Sequence, residues 1–265
     1  MGARPRRMTE SPLADEAPLS DEALRARLAA HHWFHSIALR PGITTAGVKD
    51  AALLAAEEAT LLGPLPLAGL SVLDIGAWNG FFSFAAKRRG AARVLATDSY
   101  CWDHPHYRGR ETLELCAAEL DLDIETRHLD PTEITPALGR FDVVLFLGVF
   151  YHLRNPIPVM DALGQVTGQC LLLETHQDAL EQPRPTMVFY PGREMSNDPT
   201  NWWGPNPPLM LHLLLQAGFD RVYYRNHPDY GALRGLYAAF RPGAPEALWQ
   251  GYPAGGWTGL THLAE

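Results

Sequence analysis

A short apolar segment followed by two glycines constrains the fold more than any other part of this sequence. Residues 71–75 are apolar on both sides of Asp74 and predict a short buried strand. Gly76 and Gly80 interrupt this run and permit a tight turn, and apolar side chains at helical spacing begin at Phe81. The order strand, glycine turn, helix is typical of the first βαβ unit of a nucleotide-binding α/β domain.

The residues inside the turn indicate which ligand it would accept. A dinucleotide site needs a second glycine two positions after the first, so that the backbone can approach a pyrophosphate, and Trp78 occupies that position. Asp74, at the end of the strand, would also repel a phosphate. A carboxylate there favours a ligand that carries an ammonium group and no phosphate, such as S-adenosylmethionine (SAM). A glycine turn in another kind of α/β sheet remains the alternative.

Composition narrows the class of protein. A chain of 265 residues allows one large α/β domain with additions. The net charge of −8 argues against a generally basic, nucleic-acid-binding surface. Cys101, Cys116 and Cys170 form neither a disulfide framework nor a metal pattern, so a cytoplasmic location is expected. No apolar run is long enough for a membrane span, and the N-terminus does not read as a secretory signal.

The order of predicted elements indicates an α/β, doubly wound, seven-stranded Rossmann-like sheet. We expect a disordered tail (1–19), an N-terminal helical lid (20–62), a core domain (63–243) and a C-terminal tail (244–265). The core domain carries an irregular insertion at 176–206, with five prolines. Strands are predicted at 71–75, 93–97, 124–128, 141–146, 169–174, 219–224 and 235–240.

Polar or flexible residues follow the predicted parallel strands where each one ends. These residues are Asp74, Asp98, Asp130, Gly148 and Glu174. In a doubly wound sheet, ligands bind beyond the carboxyl ends of the strands, so these side chains should surround one crevice. Asp98, at the end of the second strand, is a candidate to bind both ribose hydroxyls of an adenosine, although a turn-forming aspartate would look the same.

A second informative stretch, residues 147–156, follows the fourth strand. Gly148 would let the backbone approach a ligand, and Tyr151 and His152 follow in the next turn. His152 is a candidate general base because the ordinary pKa of histidine is near 6.5. The equally acceptable alternative is a structural histidine that bonds a backbone carbonyl.

Several motifs together resemble one group of proteins. Val-Leu-Asp-Ile-Gly-x-x-x-Gly looks like the first motif of the class I SAM-dependent methyltransferases. Four later segments resemble, in order, the group that includes the tRNA wobble-uridine carboxymethyltransferases and many small-molecule methyltransferases. They are residues 148–156, 171–175, 188–192 and 202–206. Gln-Ala-Gly-Phe at 216–219 and the aromatic segment 33–37 fit the same group, so the resemblance covers about residues 30–240.

The resemblance and the strand-end positions together imply a set of site residues. The expected cofactor is S-adenosyl-L-methionine, in contact with Trp33, Phe34, Ser36, Asp74, Gly76, Ala77, Trp78, Asp98, Leu129, Asp130, Gly148 and Tyr151. Candidate bases are His152, His176 and Glu174. Residues expected to contact the acceptor are Tyr190, Trp202, Trp203, Asn206 and Arg234. No metal is expected, because His176, Asp178 and Glu181 complete no ligand set.

Departures from the carboxymethyltransferase branch favour one hypothesis among three. That branch holds the extra carboxylate of its modified SAM with a lysine, a tyrosine and an arginine. Tyr151 matches the tyrosine and Arg234 is a candidate for the arginine, but no lysine lies between residues 33 and 47. We therefore expect methylation of a small-molecule acceptor, at oxygen, with plain SAM. A tRNA (carboxy)methyltransferase and a non-catalytic SAM-binding protein are the alternatives.

Overall fold

The N-terminal part of the molecule combines two helices with a small hairpin. The structure is a computed structural model and describes residues 19–261. Helix α1 (Asp21–Ala29) begins after Ser20, whose hydroxyl accepts a hydrogen bond from the Ala23 N–H, as a helix N-cap does. Strands β1 (Ala38–Arg40) and β2 (Ile43–Thr44) pair antiparallel, and helix α2 (Ala51–Leu61) follows.

The remaining elements alternate as the sequence predicts. In chain order they are β3 (Ser71–Ile75), α3 (Phe81–Arg88), β4 (Arg93–Asp98), α4 (Tyr100–Asp103), α5 (Gly109–Glu119), β5 (Glu125–His128), β6 (Phe141–Leu147), α6 (Pro156–Val166), β7 (Thr167–His176), β8 (Met187–Phe189), β9 (Trp203–Pro205), α7 (Pro207–Gln216), β10 (Arg221–His227), β11 (Gly231–Phe240), α8 (Glu246–Trp249), α9 (Gly251–Ala254) and β12 (Thr258–Gly259).

The central sheet is mostly parallel and reverses its strand order beside β3. Its order is β12-β10-β11-β7-β6-β3-β4-β5. The five strands from β7 to β5 run parallel, and β11, β10 and β12 join antiparallel. The chain moves outward from β3 through β4 to β5 and then returns to place β6 on the other side of β3. The ends of β3 and β6 therefore form the switch point at which such sheets bind ligands.

Helices cover both faces of the sheet, which is why the middle parts of its inner strands are apolar. Helices α6 and α7 pack on one face, and α3, α8 and α9 pack with the end of α2 on the other. Strands β6 and β7 are covered on both faces, and their residues 143–146 and 170–173 are fully buried. None of the helices between residues 19 and 261 is long and apolar enough to cross a membrane.

The structure corrects several sequence expectations. The predicted seven strands are all present, but the sheet has an eighth, β12, because residues 258–259 pair with the otherwise open edge of β10. The helical lid also contains the β1–β2 hairpin, which turns at Gly42 with φ +74°. The irregular insertion contains the β8–β9 hairpin, and a short helix that was not predicted, α4, follows β4. These pieces have two to four residues each, too few to show a periodic pattern.

Two predicted segments fall partly outside the described residues. Residues 1–18, most of the predicted disordered tail, and residues 262–265 of the predicted C-terminal tail are not described. The described part of the C-terminal tail is ordered structure, since α8, α9 and β12 bury Leu248, Tyr252 and Trp257 against the sheet.

Candidate functional site

Most backbone N–H groups of the glycine turn, residues 76–80, are hydrogen-bonded to other groups of the protein. Gly76, Trp78 and Gly80 adopt positive φ values of 76°, 47° and 88°. The N–H groups of Gly76 and Ala77 both donate to the Thr97 carbonyl, at 2.8 and 3.0 Å. The Trp78 N–H donates to Asp98 Oδ2 at 3.0 Å. A phosphate-binding loop offers such N–H groups to its ligand, so this turn is not an anion cradle.

The switch point is packed tightly on the backbone of β3. A side chain at Gly76 would place its Cβ 2.5 Å from Val149 Cγ2, which follows β6. Glycine is therefore required at position 76 for two reasons, its positive φ and this contact. At Gly148 a Cβ would lie 3.4 Å from Glu174 Oε2 and 3.6 Å from the Tyr151 hydroxyl, in the space between the ends of β6 and β7.

Two buried carboxylates flank the turn. Asp74 accepts a hydrogen bond from the Ser83 hydroxyl at 2.6 Å, and burial, with the nearby charge of Asp98, raises its pKa to about 6. Asp98 accepts from the N–H groups of Trp78 and Cys101, each at 3.0 Å, and burial raises its pKa as well. Each carboxylate oxygen has a second lone pair, so Asp98 retains acceptor capacity for a hydroxyl.

The end of β5 lies beside Asp98, as the strand-end argument predicts. The Leu129 N–H donates to the Asp98 carbonyl at 3.1 Å. The hydroxyl of Ser99 donates to Asp130 Oδ2 at 3.0 Å, and Asp130 also caps the 3₁₀ turn 131–133. The structure therefore brings together Asp98, Leu129 and Asp130 at one corner of the crevice.

A segment from the N-terminus is clamped onto the glycine turn. We call residues 33–49 the lead-in segment. Asn79 is fully buried and its Oδ1 accepts from the Phe34 N–H at 2.9 Å and the His35 N–H at 3.4 Å, while its Nδ2 donates to the Thr112 hydroxyl at 2.6 Å. The Phe34 ring stacks on Trp78 with centroids 4.1 Å apart. The lead-in segment thus lies over the turn.

Other residues of the lead-in segment serve to hold it. Trp33 is buried with Leu28, and its indole N–H donates to the Leu28 carbonyl at 2.8 Å, so its side chain packs in the core and is not brought to the crevice. The Ser36 hydroxyl accepts from the Gly47 N–H at 3.2 Å. Lys49 lies two residues after the lysine-free interval 33–47, and its ammonium group donates to Glu57 at 2.6 Å.

An arginine joins the ends of β6, β7 and β11. Arg234 donates to Glu174 Oε1 at 2.7 Å and to the Tyr151 hydroxyl at 3.2 Å. Burial raises the pKa of Tyr151 to about 12, so its hydroxyl stays protonated. Tyr151, Glu174 and Arg234 therefore form one cluster beside Gly148, but the arginine charge is already paired with a carboxylate.

His152 is held by the insertion. Its Nδ1 lies 3.1 Å from the Thr200 carbonyl and 3.0 Å from the Thr200 hydroxyl. Burial lowers its pKa, which keeps the ring neutral at pH 7. A neutral ring that donates from Nδ1 to the carbonyl has its lone pair on Nε2.

His176 is oriented in a comparable way. Its Nε2 lies 3.0 Å from the Tyr190 hydroxyl, and that hydroxyl in turn donates to Asp178. Burial and the charge of Arg234 lower the pKa of His176. If Nε2 donates to Tyr190, the free lone pair is on Nδ1, and a proton taken up there would be stabilised through Tyr190 by Asp178.

The predicted acceptor residues separate into two groups. Trp202 and Trp203 line an open cleft of about 430 Å³, together with Arg154, Asn155 and Phe189. Tyr190 is buried behind them. Asn206 is fully buried and does not reach the cleft: it caps α7 and bonds the backbone of residues 182, 184 and 186, so it holds the insertion together.

Sequence reasoning missed several residues of the site. Asn79 stood inside the recognised turn, and a buried amide between two glycines was an available signal. Arg154 lay inside the informative stretch 147–156 but received no role, and Thr200 gave no signal, because it meets the site only through the path of an irregular segment. Among residues 19–261 no group of three or more histidine, cysteine, aspartate or glutamate side chains is arranged to hold a metal ion.

Comparison with known proteins gives one family and several relatives. The sequence profile of the family described as "Methyltransferase domain" matches residues 49–220, more than half of the chain. The tRNA U34 carboxymethyltransferase of Desulfotalea psychrophila (strain LSv54) is 26% identical over 200 residues, which cover 71% of this chain and 60% of that protein. The protein of the same name from Geobacter sp. (strain M21) is 32% identical over 168 residues, covering 59% and 47%.

Solved structures share the fold. The N-terminal domain of EvdMO1 with SAH bound aligns with a TM-score of 0.63 and 21% identity, covering 84% of this chain and 98% of that one. By contrast, this chain spans about half the length of the curated relatives it matches.

Proposed function

The chain belongs to the family of methyltransferase domains, and from that premise we propose that it transfers a methyl group from S-adenosylmethionine to the oxygen of a small-molecule acceptor. The observation that carries this proposal is the glycine turn, whose N–H groups at positions 76–78 are bonded inside the protein and whose neighbours are two buried carboxylates. Such a turn suits a cationic ligand without phosphate groups.

The residues present fit this methyl donor. Gly76 and Gly148 keep the ends of β3 and β6 free of side chains, and a Cβ at Gly148 would fill the space beside Glu174 and Tyr151. Asp98 would accept hydrogen bonds from the ribose, and Leu129 and Asp130 would lie by the adenine. Phe34, stacked on Trp78, closes the turn from above. When bound, the donor supplies an electrophilic methyl group on a sulfonium.

The protein would contribute orientation and a proton acceptor. Most of the rate enhancement in such a transfer comes from alignment of the acceptor with the methyl group. An acceptor hydroxyl must also lose its proton. His152 is our first candidate for the base, since burial keeps it neutral and its Nδ1 is held by Thr200. His176, held through Tyr190 by Asp178, is the second, and Glu174 the third.

Calorimetric titration with S-adenosylhomocysteine tests the donor site. The wild-type protein should bind it, and Asp98→Asn should weaken binding about tenfold or more, because charge-assisted bonds to the ribose become neutral ones. Asp103→Asn, which changes an exposed aspartate five residues further along the chain, is the matched control and should bind as the wild type does. No binding by the wild type, or equal affinity in Asp98→Asn, would refute the proposed site.

A second candidate function is carboxymethyl transfer to tRNA, and two observations favour it. The relatives carry that name, and Arg234 does contact the Tyr151 hydroxyl at 3.2 Å. Against it, Glu174 already neutralises Arg234, and Glu57 neutralises Lys49. A donor carboxylate would meet Glu174 at close range, and an uncompensated buried charge is costly.

The ratio of affinities for SAM and its carboxylated form separates the two functions. We expect plain SAM to bind at least about tenfold more tightly than its carboxylated form, because the extra carboxylate would be repelled by the buried Glu174 carboxylate. Glu174→Gln should narrow that ratio, because it leaves the arginine charge free. Tighter binding of the carboxylated donor by the wild type, together with salt-dependent tRNA binding, would favour the second function instead.

A further inference from the structure

The insertion and the turn after β6 form a cleft with aromatic walls and a cationic rim. Phe189, Trp202 and Trp203 supply the rings, and Arg154 and Asn155 supply the polar groups. The Phe189 side chain is 50% exposed, and its ring lies 5.2 Å from that of Trp203 and nearly parallel to that of Trp202. Large apolar side chains left this open beside polar groups are typical of ligand-binding surfaces.

Among the described residues, the cation of this cleft has no carboxylate partner. The Arg154 guanidinium lies over the Trp202 ring, 4.6 Å from its centroid. Within residues 19–261 it has no carboxylate within 4.0 Å, whereas Arg234 and Lys49 each have one. No carboxylate lines the cleft among the described residues, and the Asn155 side chain makes no capping bond to α6. The Arg154 guanidinium can only donate and the Asn155 amide offers N–H donors beside its oxygen, so the cleft favours an anion.

The cleft is tied to the proposed transfer site by two hydrogen bonds. The Trp202 N–H donates to the Tyr151 carbonyl at 2.8 Å, and the Trp203 indole N–H donates to the Leu153 carbonyl at 2.9 Å. Between those two carbonyls lies His152, the first candidate base. The main chain on each side of the proposed base is therefore bonded to a residue whose side chain lines the cleft.

We infer that this cleft binds the methyl acceptor, and that the acceptor carries a flat ring and an anionic carboxylate or phosphate group. The inference rests on the proposed function for the role of the ligand, but the cleft itself is argued from its own residues. The ring would stack on Trp202 and Phe189, and the anion would pair with the Arg154 guanidinium, whose planar fork matches both anions. An aromatic acid and a nucleotide share this chemistry.

Matched probe pairs test the inference in the full-length protein. Calorimetry would compare 4-hydroxybenzoate with the neutral 4-hydroxybenzamide, and uridine 5′-monophosphate with uridine. We expect one anionic probe to bind about tenfold more tightly than its neutral partner, as a charge-assisted hydrogen bond would give. The pair that shows this preference identifies the source of the ring.

Two variants separate the cleft from nonspecific charge. Arg154→Gln should abolish the preference for the anion, and Trp202→Leu should weaken both members of the pair. Arg221→Gln is the control, because Arg221 lies over the Trp249 ring in the same kind of pair elsewhere on the surface. Lack of preference in the wild type, or a preference that survives Arg154→Gln, would overturn the inference.

A last measurement distinguishes failure of this inference from failure of the proposed function. S-adenosylhomocysteine is titrated into the same samples. If it binds and neither probe does, the cleft assignment alone fails; if a probe binds but S-adenosylhomocysteine does not, the proposed function fails. When both bind, nuclear Overhauser effects between the two ligands should place the ring near the donor, and their absence would refute the acceptor role.

Discussion

Replacing Asn79 by alanine tests most directly how the lead-in segment is held over the glycine turn. In Asn79→Ala the buried N–H groups of Phe34 and His35 lose their acceptor, and the Thr112 hydroxyl loses a donor but still donates to the Gly109 carbonyl. The first of these bonds has a normal length of 2.9 Å and the second is long at 3.4 Å. An orphaned buried donor costs about 1–3 kcal/mol, so we expect a total of about 2–4 kcal/mol.

This cost should fall on local opening of the lead-in segment, residues 33–49, more than on global unfolding. Hydrogen–deuterium exchange read by mass spectrometry measures local opening directly. A change of that size corresponds to a loss of protection of roughly 30- to 1,000-fold in the segment. Strand β6, at the centre of the sheet, should keep its protection up to the new global limit.

Thr112→Val is the matched control, because it removes the Thr112 hydroxyl at nearly constant side-chain volume. The side-chain oxygen of Asn79 can still accept from the Phe34 and His35 N–H groups. After correction for any change in global stability, the amides of its lead-in segment should exchange as slowly as those of the wild type. Unchanged protection of residues 33–49 in Asn79→Ala, or a loss spread equally over β6, would refute the idea that Asn79 acts as a local clamp.

Three further predictions concern stability. Burial, with the charge of Lys49, lowers the pKa of His35 to about 3; the unfolded chain binds that proton from about pH 6.5 downwards, so His35 should remove about 2 kcal/mol of stability between pH 7 and pH 5. Urea titrations at both pH values should show that the wild type loses this stability and His35→Gln does not. The comparison with the variant is needed because the raised pKa of Asp74 changes the stability of both proteins in the opposite direction. The same change in stability between pH 7 and pH 5 in both proteins would contradict the prediction. Glu57→Gln should cost about 3–5 kcal/mol in the same assay, because it breaks a buried cluster with Lys49 and His227, and a loss under 1 kcal/mol would show that the cluster is not ionic. Gly164→Ala should lower thermal stability because its Cβ would lie 2.1 Å from the Ala217 carbonyl oxygen, with a cost of about 1–3 kcal/mol or more.

The sequence predicted the parts of the fold that have a strong local pattern. Strand β3 appears with the predicted bounds, because a short apolar run that ends at two glycines is a strong local signal. The strands predicted at 219–224 and 235–240 are also present, as β10 and β11. Strand β12 was missed because two residues at a sheet edge are specified by the partner they cover and not by their own sequence.

The candidate site was predictable where strand ends determine position. Asp98, Asp130 and Glu174 lie at such ends, and the parallel sheet brings them to one edge. Trp33 and Asn206 were placed at the site from resemblance, but the structure buries each one in packing or capping bonds. The contacts of the insertion could not be foreseen, because its path is set by long-range bonds.

The attachment of the insertion has a consequence for how such an enzyme could diversify. At the turn after β6, the two tryptophans of the insertion bond to carbonyl groups of the main chain. Every residue type offers that carbonyl, so side chains in the turn could change without loosening the attachment. Natural variation, or a laboratory graft, could therefore change the side chains of this turn while both tryptophans of the insertion keep their bonds to it.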